Sequence, residues 1–349
     1  MAGTEIFIED LRAWAVREPV SRRAYTILRI RTRSGLAGYG EGAGITAAEL
    51  ALARPLLLGQ PATAYEVLDR RLAELPNARA AVNVALLDIA GKFARAPIFQ
   101  VLGGPTRHKA RAMTALTGAS DAARAAGFRA FVVPVPPPAA PNQGQAFVNA
   151  VRRRLEALRA AGAEDLVLDG GGLLSPGDAA GLASALERFH LLWFDEPCAT
   201  SALGAIRKLA AENVTPLGFG RNARQASEFQ DLLREDAVDV IRPSLARHGI
   251  SPIRKMAALA EAYYVAVAPY HDGGPVATAA ALQLAASLPN FFIQQIPLPE
   301  AEEDRKMRAE LTSQPVELVK DGFAALPTGP GLGITVNEEA LKKYGEAVA

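Results

Sequence analysis

The sequence predicts an α/β protein: a (β/α)₈-type barrel with an α+β capping domain formed by the N-terminal part and the C-terminal tail. Three observations predict this class. Over residues 1–110, strand-like segments come first and helical segments follow in a separate block, which is typical of an α+β domain. Over residues 111–317, short apolar runs alternate with amphipathic stretches, as they do in a barrel. Residues 318–349 are again strand-like, and we expect them to complete the capping domain.

The capping domain is predicted from β-rich and then helical sequence. EIFIEDLRAWAV and AYTILRIRTRSG are rich in strand formers, and Ser34-Gly35 predicts a turn into LAGYGEG. Residues 47–101 carry apolar side chains at helical spacing. The tail, VELVKDGFAALPTGPGLGITVNEEAL, predicts two strands around a Pro/Gly turn. We expect both of these strands to return to the N-terminal domain.

Eight short apolar runs predict the barrel strands. Seven stretches with helical character separate these runs, and the first is short because only SDAARAAG is available for it. Parallel strands need such crossover connections, so the alternation favours a closed parallel barrel. The runs lie at 112–116, 129–133, 166–169, 191–195, 215–218, 238–241, 265–268 and 291–294.

Composition limits the partners and the compartment. The chain has 349 residues, which is more than the roughly 250–300 that a single core supports. Half of the residues are hydrophobic and the net charge is +1, so we expect neither nucleic acid nor a membrane as a partner. The single cysteine, Cys198, and an N-terminus without a basic region before an apolar core predict a cytoplasmic protein.

Three polar residues close successive apolar runs at equal spacing. Asp169 ends LVLD, Asp195 ends LLWFD and Arg221 follows PLGFG, with 26 residues between neighbours. In a barrel this period places them on three adjacent strands at the C-terminal mouth. Three carboxylates there would hold a divalent cation, but here the third residue is an arginine.

Five segments of the chain share one pattern: GLAGYGEG (35–42), AAVNVALLDIAGKFARAPIFQVLGG (80–104), LVLDGGG, WFDEP and GPGLGITVNEEAL (329–341). In these segments and their order, the chain resembles the enolase superfamily, in the branch of mandelate racemase and muconate-lactonising enzyme. The resemblance implies Mg²⁺ held by three strand-end carboxylates and a base that removes the proton α to a substrate carboxylate, giving isomerase or lyase activity. It also implies a small carboxylate or acid-sugar ligand and a homo-oligomer.

At the metal position the chain departs from the pattern that the resemblance implies. Asp169 and Asp195 match the first two ligand positions, and Arg221 stands at the third. The charges of two aspartates and one arginine sum to −1, as do those of three carboxylates and Mg²⁺. The planar guanidinium of an arginine can also contact both carboxylates. We therefore expect Arg221 to replace the cation and no metal to bind. Two alternatives stay open: Arg221 points to solvent and weak metal binding persists, or Glu196 serves as a ligand in a shifted register.

The base positions depart as well. Val132 and Pro134 fall where the resemblance places two lysines. Ser244 falls on the aspartate that orients a histidine, and His271 matches that histidine 27 residues later. Ser244 can hydrogen-bond an imidazole but cannot stabilise an imidazolium as a carboxylate does.

Two functions follow from these residues. The first is a divergent member that lacks Mg²⁺-dependent proton abstraction and binds a small carboxylate or acid sugar. Its candidate binding residues are Arg221, Asn222 and Gln295, the last lying near the strand-8 glutamate of the family pattern. The alternative is an active racemase, dehydratase or cycloisomerase-type enzyme on a hydroxy acid or sugar acid. In it His271 is the candidate acid or base, and Ser244 is a second candidate catalytic residue.

Overall fold

In a computed structural model, residues 6–349 are described. The chain begins with an antiparallel sheet in which β1 pairs with β2 and β2 with β3. Four helices follow, as the separate helical block predicts. The bounds are β1 Ile8–Arg17, β2 Ala24–Thr32, β3 Ala37–Gly42, α1 Ala47–Leu57, α2 Tyr65–Arg71, α3 Pro76–Ala94 and α4 Ile98–Val101.

Two glycines of β3 allow α3 to pack directly on the sheet. A Cβ atom on Gly38 would lie 2.1 Å from the carbonyl oxygen of Ala85, and one on Gly40 would lie 1.9 Å from that of Ala81. Real Cβ atoms do not approach so closely, so any side chain at either position would push α3 away from the sheet. The spacing of glycines in GLAGYGEG therefore reflects close helix packing.

Eight parallel strands then form a closed barrel. Each of the eight predicted runs overlaps or directly precedes one strand, which confirms the predicted fold class. The strands are β4 Lys109–Ala115, β5 Ala130–Pro134, β6 Asp165–Asp169, β7 Trp193–Asp195, β8 Leu217–Phe219, β9 Val240–Ile241, β10 Ala266–Val267 and β11 Gln294–Gln295. The intervening helices are α5 Asp121–Ala125, α6 Gly144–Ala160, α7 Pro176–Leu186, α8 Leu203–Glu212, α9 Ala226–Arg234, α10 Leu245–His248, α11 Ile250–Ala262 and α12 Pro275–Ala285.

The barrel closes where its last strand meets its first. Gln294 pairs with Ala112 and Gln295 with Met113, so β11 lies parallel to β4. On the other side of β11, Phe291, which precedes that strand, forms a parallel bridge with Val267 of β10. Alternate residues of a strand point to opposite faces, and the interior is filled by one residue set: Met113, Ala130, Val132, Val167, Trp193, Val240, Ala268 and Ile293.

The tail contacts both parts of the molecule, and here one prediction is wrong. After α13 (Glu302–Leu311), β12 (Val319–Lys320) and β13 (Phe323–Ala325) form a hairpin that pairs with barrel strand β4. The hairpin turns at Asp321-Gly322, where Gly322 has φ +80°, and not in the Pro/Gly segment. The tail reaches the N-terminal sheet later, through α14 (Glu338–Tyr344) and β14 (Gly345–Ala347), which pairs with β1. The domain bounds 1–110, 111–317 and 318–349 remain a prediction.

Buried polar contacts hold the N-terminal sheet to the barrel. Asp304 on α13 accepts hydrogen bonds of 2.8 Å from the backbone N–H groups of both Val20 and Ser21 in the β1–β2 turn. Arg308, on the same helix, forms an ion pair with Glu18 at the end of β1. These contacts fix the β1–β2 turn against the barrel. No helix within residues 6–349 is long and apolar enough to cross a membrane.

Candidate active site at the barrel mouth

Polar side chains cluster at the mouth of the barrel. They lie at or just past the ends of the strands, at positions whose side chains still alternate between the inner and outer faces. Each of five such residues lies two positions after a residue of the barrel interior, so its side chain points inward as well. This parity is what brings together residues from distant parts of the sequence. The five are Asp169, Asp195, Arg242, Tyr270 and Gln295.

Arg221 binds Asp169 with both arms of its guanidinium. Its Nη1 donates to Oδ2 of Asp169 at 2.7 Å, and its Nη2 donates to Oδ1 at 2.8 Å. Asp195 lies 3.9 Å from Arg221 Nη1, which is too long for a hydrogen bond. The expected contact between Arg221 and two carboxylates is therefore a bidentate pair with Asp169 and a longer ion pair with Asp195.

A second arginine, which the sequence reasoning missed, is the main partner of Asp195. Nε of Arg242 lies 3.1 Å from Oδ1 and 3.3 Å from Oδ2 of Asp195, and both side chains are completely buried. Arg242 also donates to the carbonyl of Ala268 at 3.0 Å and to Oε1 of Gln295 at 2.9 Å. Two aspartates and two arginines sum to zero, not to the −1 expected from Arg221 alone.

An indole supports the buried pair. Trp193 donates from Nε1 to Oδ1 of Asp195 at 3.0 Å, and the Arg242 guanidinium lies 5.4 Å from its ring. Gly218 on the next strand makes room, because a Cβ atom there would lie 2.3 Å from the indole and 2.8 Å from Asp195. The first glycine of PLGFG is thus explained by packing against Trp193.

Burial and neighbouring charge set the ionisation of the cluster. Burial raises the pKa of Asp195, against the opposing effect of Arg242 and Arg221. Burial also lowers the pKa of Arg221, but its hydrogen bonds to Asp169 and the charges of both aspartates outweigh this and hold the pKa above its usual range. Arg221 therefore stays charged, and the cluster is a network of ion pairs.

The residues at the mouth do not fit a Mg²⁺ ion. Mg²⁺ needs free carboxylate oxygens in near-octahedral geometry, but those of Asp169 and Asp195 already accept from arginines. Within the described part of the chain, no three His, Cys, Asp or Glu side chains are grouped so that they could hold a metal. Two features thus disfavour the family's metal: the carboxylate oxygens are already occupied, and two arginines place positive charge beside them.

Glu196 shapes the backbone and does not act as a ligand in a shifted register. Its carboxylate accepts from the backbone N–H of Gly220 at 2.8 Å and of Arg221 at 2.6 Å, and the side chain is buried. Burial and the charge of Asp195 raise the pKa of Glu196 to about 7. Its role is to fix the turn that aims Arg221 at Asp169.

Tyr270, and not His271, lies at the mouth. Tyr270 forms a parallel bridge with Ser244, and its ring lies 5.1 Å from the Arg221 guanidinium and 5.6 Å from that of Arg242. His271 is one residue further on, so its side chain points to the opposite, outer face of the barrel. Val267, four residues before it, lies on that face and packs in the core outside the barrel. The predicted pairing of Ser244 with His271 is therefore displaced by one residue.

His271 points towards the tail and the N-terminal sheet. It is 1% exposed, and neither ring nitrogen has a hydrogen-bond partner among residues 6–349. Burial lowers its pKa to about 4, and the charges that act on it most strongly are those of Glu317 and Arg308. The expected hydrogen bond from Ser244 is absent, so the catalytic assignment of His271 has no support in this geometry.

The buried His271 gives a testable dependence of stability on pH. Its pKa of about 4 in the folded protein lies below the ~6.5 expected when it is unfolded, so the unfolded state binds more protons between these values. The contribution of the neutral His271 ring to the free energy of unfolding is fully present above pH 6.5 and is lost as the pH falls towards 4. His271→Asn should remove this loss. The free energy of unfolding of the wild type, relative to the variant, should fall by about 1.4 kcal/mol per pH unit in that window.

Denaturation at several pH values measures this difference. The comparison with the variant is essential because Glu41 and Glu196, whose pKa values are both raised to about 7, oppose the histidine effect in the same range. A constant difference between wild type and His271→Asn from pH 7 to pH 4 would contradict the assignment of a buried neutral ring.

The remaining candidate residues occupy unequal positions. Gln295 is buried, and its side-chain oxygen is occupied by Arg242. Asn222, on the loop after β8, is exposed, and it lies beside Gly172 of the loop after β6. Ser244 is buried next to Tyr270. Of the predicted binding residues, Arg221 and Asn222 therefore remain within reach of a ligand.

Comparison with known proteins agrees with this architecture. Residues 11–103 match the family model "Mandelate racemase / muconate lactonizing enzyme, N-terminal domain", and residues 115–340 match "Enolase C-terminal domain-like". The chain is 31% identical to a D-galactonate dehydratase of Verminephrobacter eiseniae, over 90% of this chain and 89% of that protein. It is 30% identical to a D-galactarolactone cycloisomerase of Agrobacterium fabrum, over 93% and 92% of the two chains.

A solved structure shows the same fold. An enolase from Agrobacterium radiobacter, crystallised with bound sodium and L-malate, superposes with a TM-score of 0.85. It is 25% identical to this chain, over 98% of this chain and 95% of that one. Together, the matched family models and the shared fold show that the chain belongs to the enolase superfamily, in its mandelate racemase/muconate-lactonising branch.

Proposed function

We propose that this protein acts on a hydroxylated carboxylic acid, of the sugar-acid or α-hydroxy-acid class, at the barrel mouth, without a bound Mg²⁺ ion. The proposal takes its ligand class and its lyase or isomerase chemistry from the relatives, which are named as a sugar-acid dehydratase and a cycloisomerase. It therefore favours the enzyme alternative from the sequence, with the metal replaced by ion pairs.

The ion pair of Arg221 with Asp169 is the observation that carries the proposal. Their side chains are 13% and 14% exposed, whereas those of Asp195 and Arg242 are 0% exposed. A guanidinium has five N–H donors, and two of those of Arg221 are used by Asp169. Arg221 can therefore bind a ligand carboxylate while it keeps its contact with Asp169.

A panel of sugar acids and α-hydroxy acids tests the proposal. Exchange of the α-proton in D₂O and loss of water, both followed by NMR, report the two steps expected of this reaction class. We expect equal rates in EDTA and in Mg²⁺, and a loss of at least tenfold in ligand affinity in Arg221→Gln, because a charge-assisted contact is removed. Activity that appears only with Mg²⁺ would contradict the metal-free assignment.

Binding without turnover is the second candidate, and the position of the bases favours it. His271 lies away from the mouth, and Val132 and Pro134 replace the two lysines that the family resemblance implies. A rise in unfolding temperature with an acid of the panel, without α-proton exchange, would select this candidate. A homo-oligomer and a cytoplasmic location remain predictions from the sequence.

A further inference from the structure

Tyr270 is placed to meet whatever enters the mouth. Its ring lies 5.1 Å from the Arg221 guanidinium and 5.6 Å from that of Arg242. It therefore lies between the partly exposed arginine and the buried one, just after the C-terminal end of β10. No other aromatic ring among residues 6–349 contacts both guanidinium groups in this way.

The hydroxyl of Tyr270 is not used by the fold. It makes no hydrogen bond with any residue of the described chain, yet it is not among the buried polar atoms that lack a partner. The hydroxyl oxygen must therefore reach solvent. Tyr39 shows the contrast, since its hydroxyl donates to Glu338 at 2.7 Å and so serves the structure.

We propose that Tyr270 is a ligand-binding residue whose hydroxyl donates a hydrogen bond to the carboxylate of the acid bound at Arg221. This inference rests on the proposed function, because it assumes an acid at the mouth. The carboxylate would accept from the free N–H groups of Arg221 and from the phenol hydroxyl. A hydrogen bond to a charged group is among the stronger ones that a neutral donor makes.

The ionisation of the phenol agrees with a donor role. Burial and the charge of Asp272 raise the pKa of Tyr270 to about 12, against the opposing effect of Arg221 and Arg242. The hydroxyl thus keeps its proton at neutral pH and can donate but cannot serve as a base. This separates Tyr270 from the role that the sequence suggested for His271.

The test is Tyr270→Phe, which removes the hydroxyl and keeps the ring over both arginines. Titration calorimetry with L-malate and with succinate measures the affinity, since the two acids share their carboxylates and differ in one hydroxyl. We expect at least a tenfold loss for both acids, with the unfolding temperature unchanged. Tyr264→Phe, at a side chain that is fully exposed, is the matched control and should bind like the wild type.

The outcomes separate this inference from the proposed function. If Tyr270→Phe binds L-malate within twofold of a wild type that does bind it, the role of Tyr270 is overturned and the proposed function stands. If the wild type binds neither L-malate nor any acid of the panel, the proposed function is overturned, and this inference with it. Should Tyr270→Phe also lower the unfolding temperature, Tyr270→His decides: recovered affinity from its ring N–H supports the donor role, and unrecovered affinity overturns it.

Discussion

Replacing Arg242 with methionine is expected to lower the free energy of unfolding by about 3–5 kcal/mol. The substitution leaves Asp195 buried at 0% exposure without its closest positive partner. It also removes the donor to the carbonyl of Ala268 and to Gln295. Breaking one half of a buried ion pair is costly because the remaining charge keeps its full desolvation penalty. Chemical denaturation near neutral pH measures the loss.

Two further variants separate charge from packing. Arg242→Met combined with Asp195→Asn removes both charges and keeps an acceptor for the Trp193 indole, so it should recover a large part of the loss. Arg221→Met should cost clearly less than Arg242→Met, because Arg221 and Asp169 retain access to water. Equal costs for the two single variants would show that Arg242 is not the main partner of Asp195.

The barrel could be predicted because its signal is repeated eight times. Each strand needs only a short apolar run, and the alternation with helices fixes a parallel order. The bounds are less well determined: β9 and β10 have only two residues each, although longer apolar runs surround them. Apolar residues that flank such short strands are buried by the barrel whether or not they pair, so periodicity alone cannot locate the strand ends.

The site was predicted in part, and the misplacement of His271 has a physical origin. Counting residues from one apolar run to the next placed Asp169, Asp195 and Arg221 correctly at the mouth. The family resemblance placed His271 there as well, 27 residues after Ser244. The inward face alternates with every residue, however, and a shift of one position selects the opposite face. Tyr270 lies two residues after the interior residue Ala268, so its side chain points inward as well.

Arg242 was missed although its signal is present in the sequence. It follows VDVI as Arg221 follows PLGFG, so it is also a charged residue that closes an apolar run. The tail hairpin was misplaced for a different reason. A two-strand segment carries no information about its partner. In β4, residues 109–111 precede the two residues that pair with β11, and these earlier residues pair with β13.

The second large effect concerns Mg²⁺, and two substitutions should create a site that the wild type lacks. Calorimetry should show no saturable binding of Mg²⁺ to the wild type, because Asp169 and Asp195 are paired with two arginines and the four charges cancel. Unit charges ~4 Å apart at an effective dielectric of ~20 interact by about 4 kcal/mol. Each arginine therefore disfavours a divalent ion strongly.

Arg221→Glu supplies a third carboxylate but leaves Arg242 on Asp195, so Mg²⁺ binding should remain weak. Combining Arg221→Glu with Arg242→Gln leaves three carboxylates without a paired cation, and Mg²⁺ should then bind at least tenfold more tightly than to the single variant. Arg221→Gln with Arg242→Gln is the control, because it removes both positive charges without adding a ligand. If the wild type itself shows a stoichiometric Mg²⁺ site that Asp169→Ala abolishes, the arginines do not replace the metal, because a cation can then displace them from their aspartates.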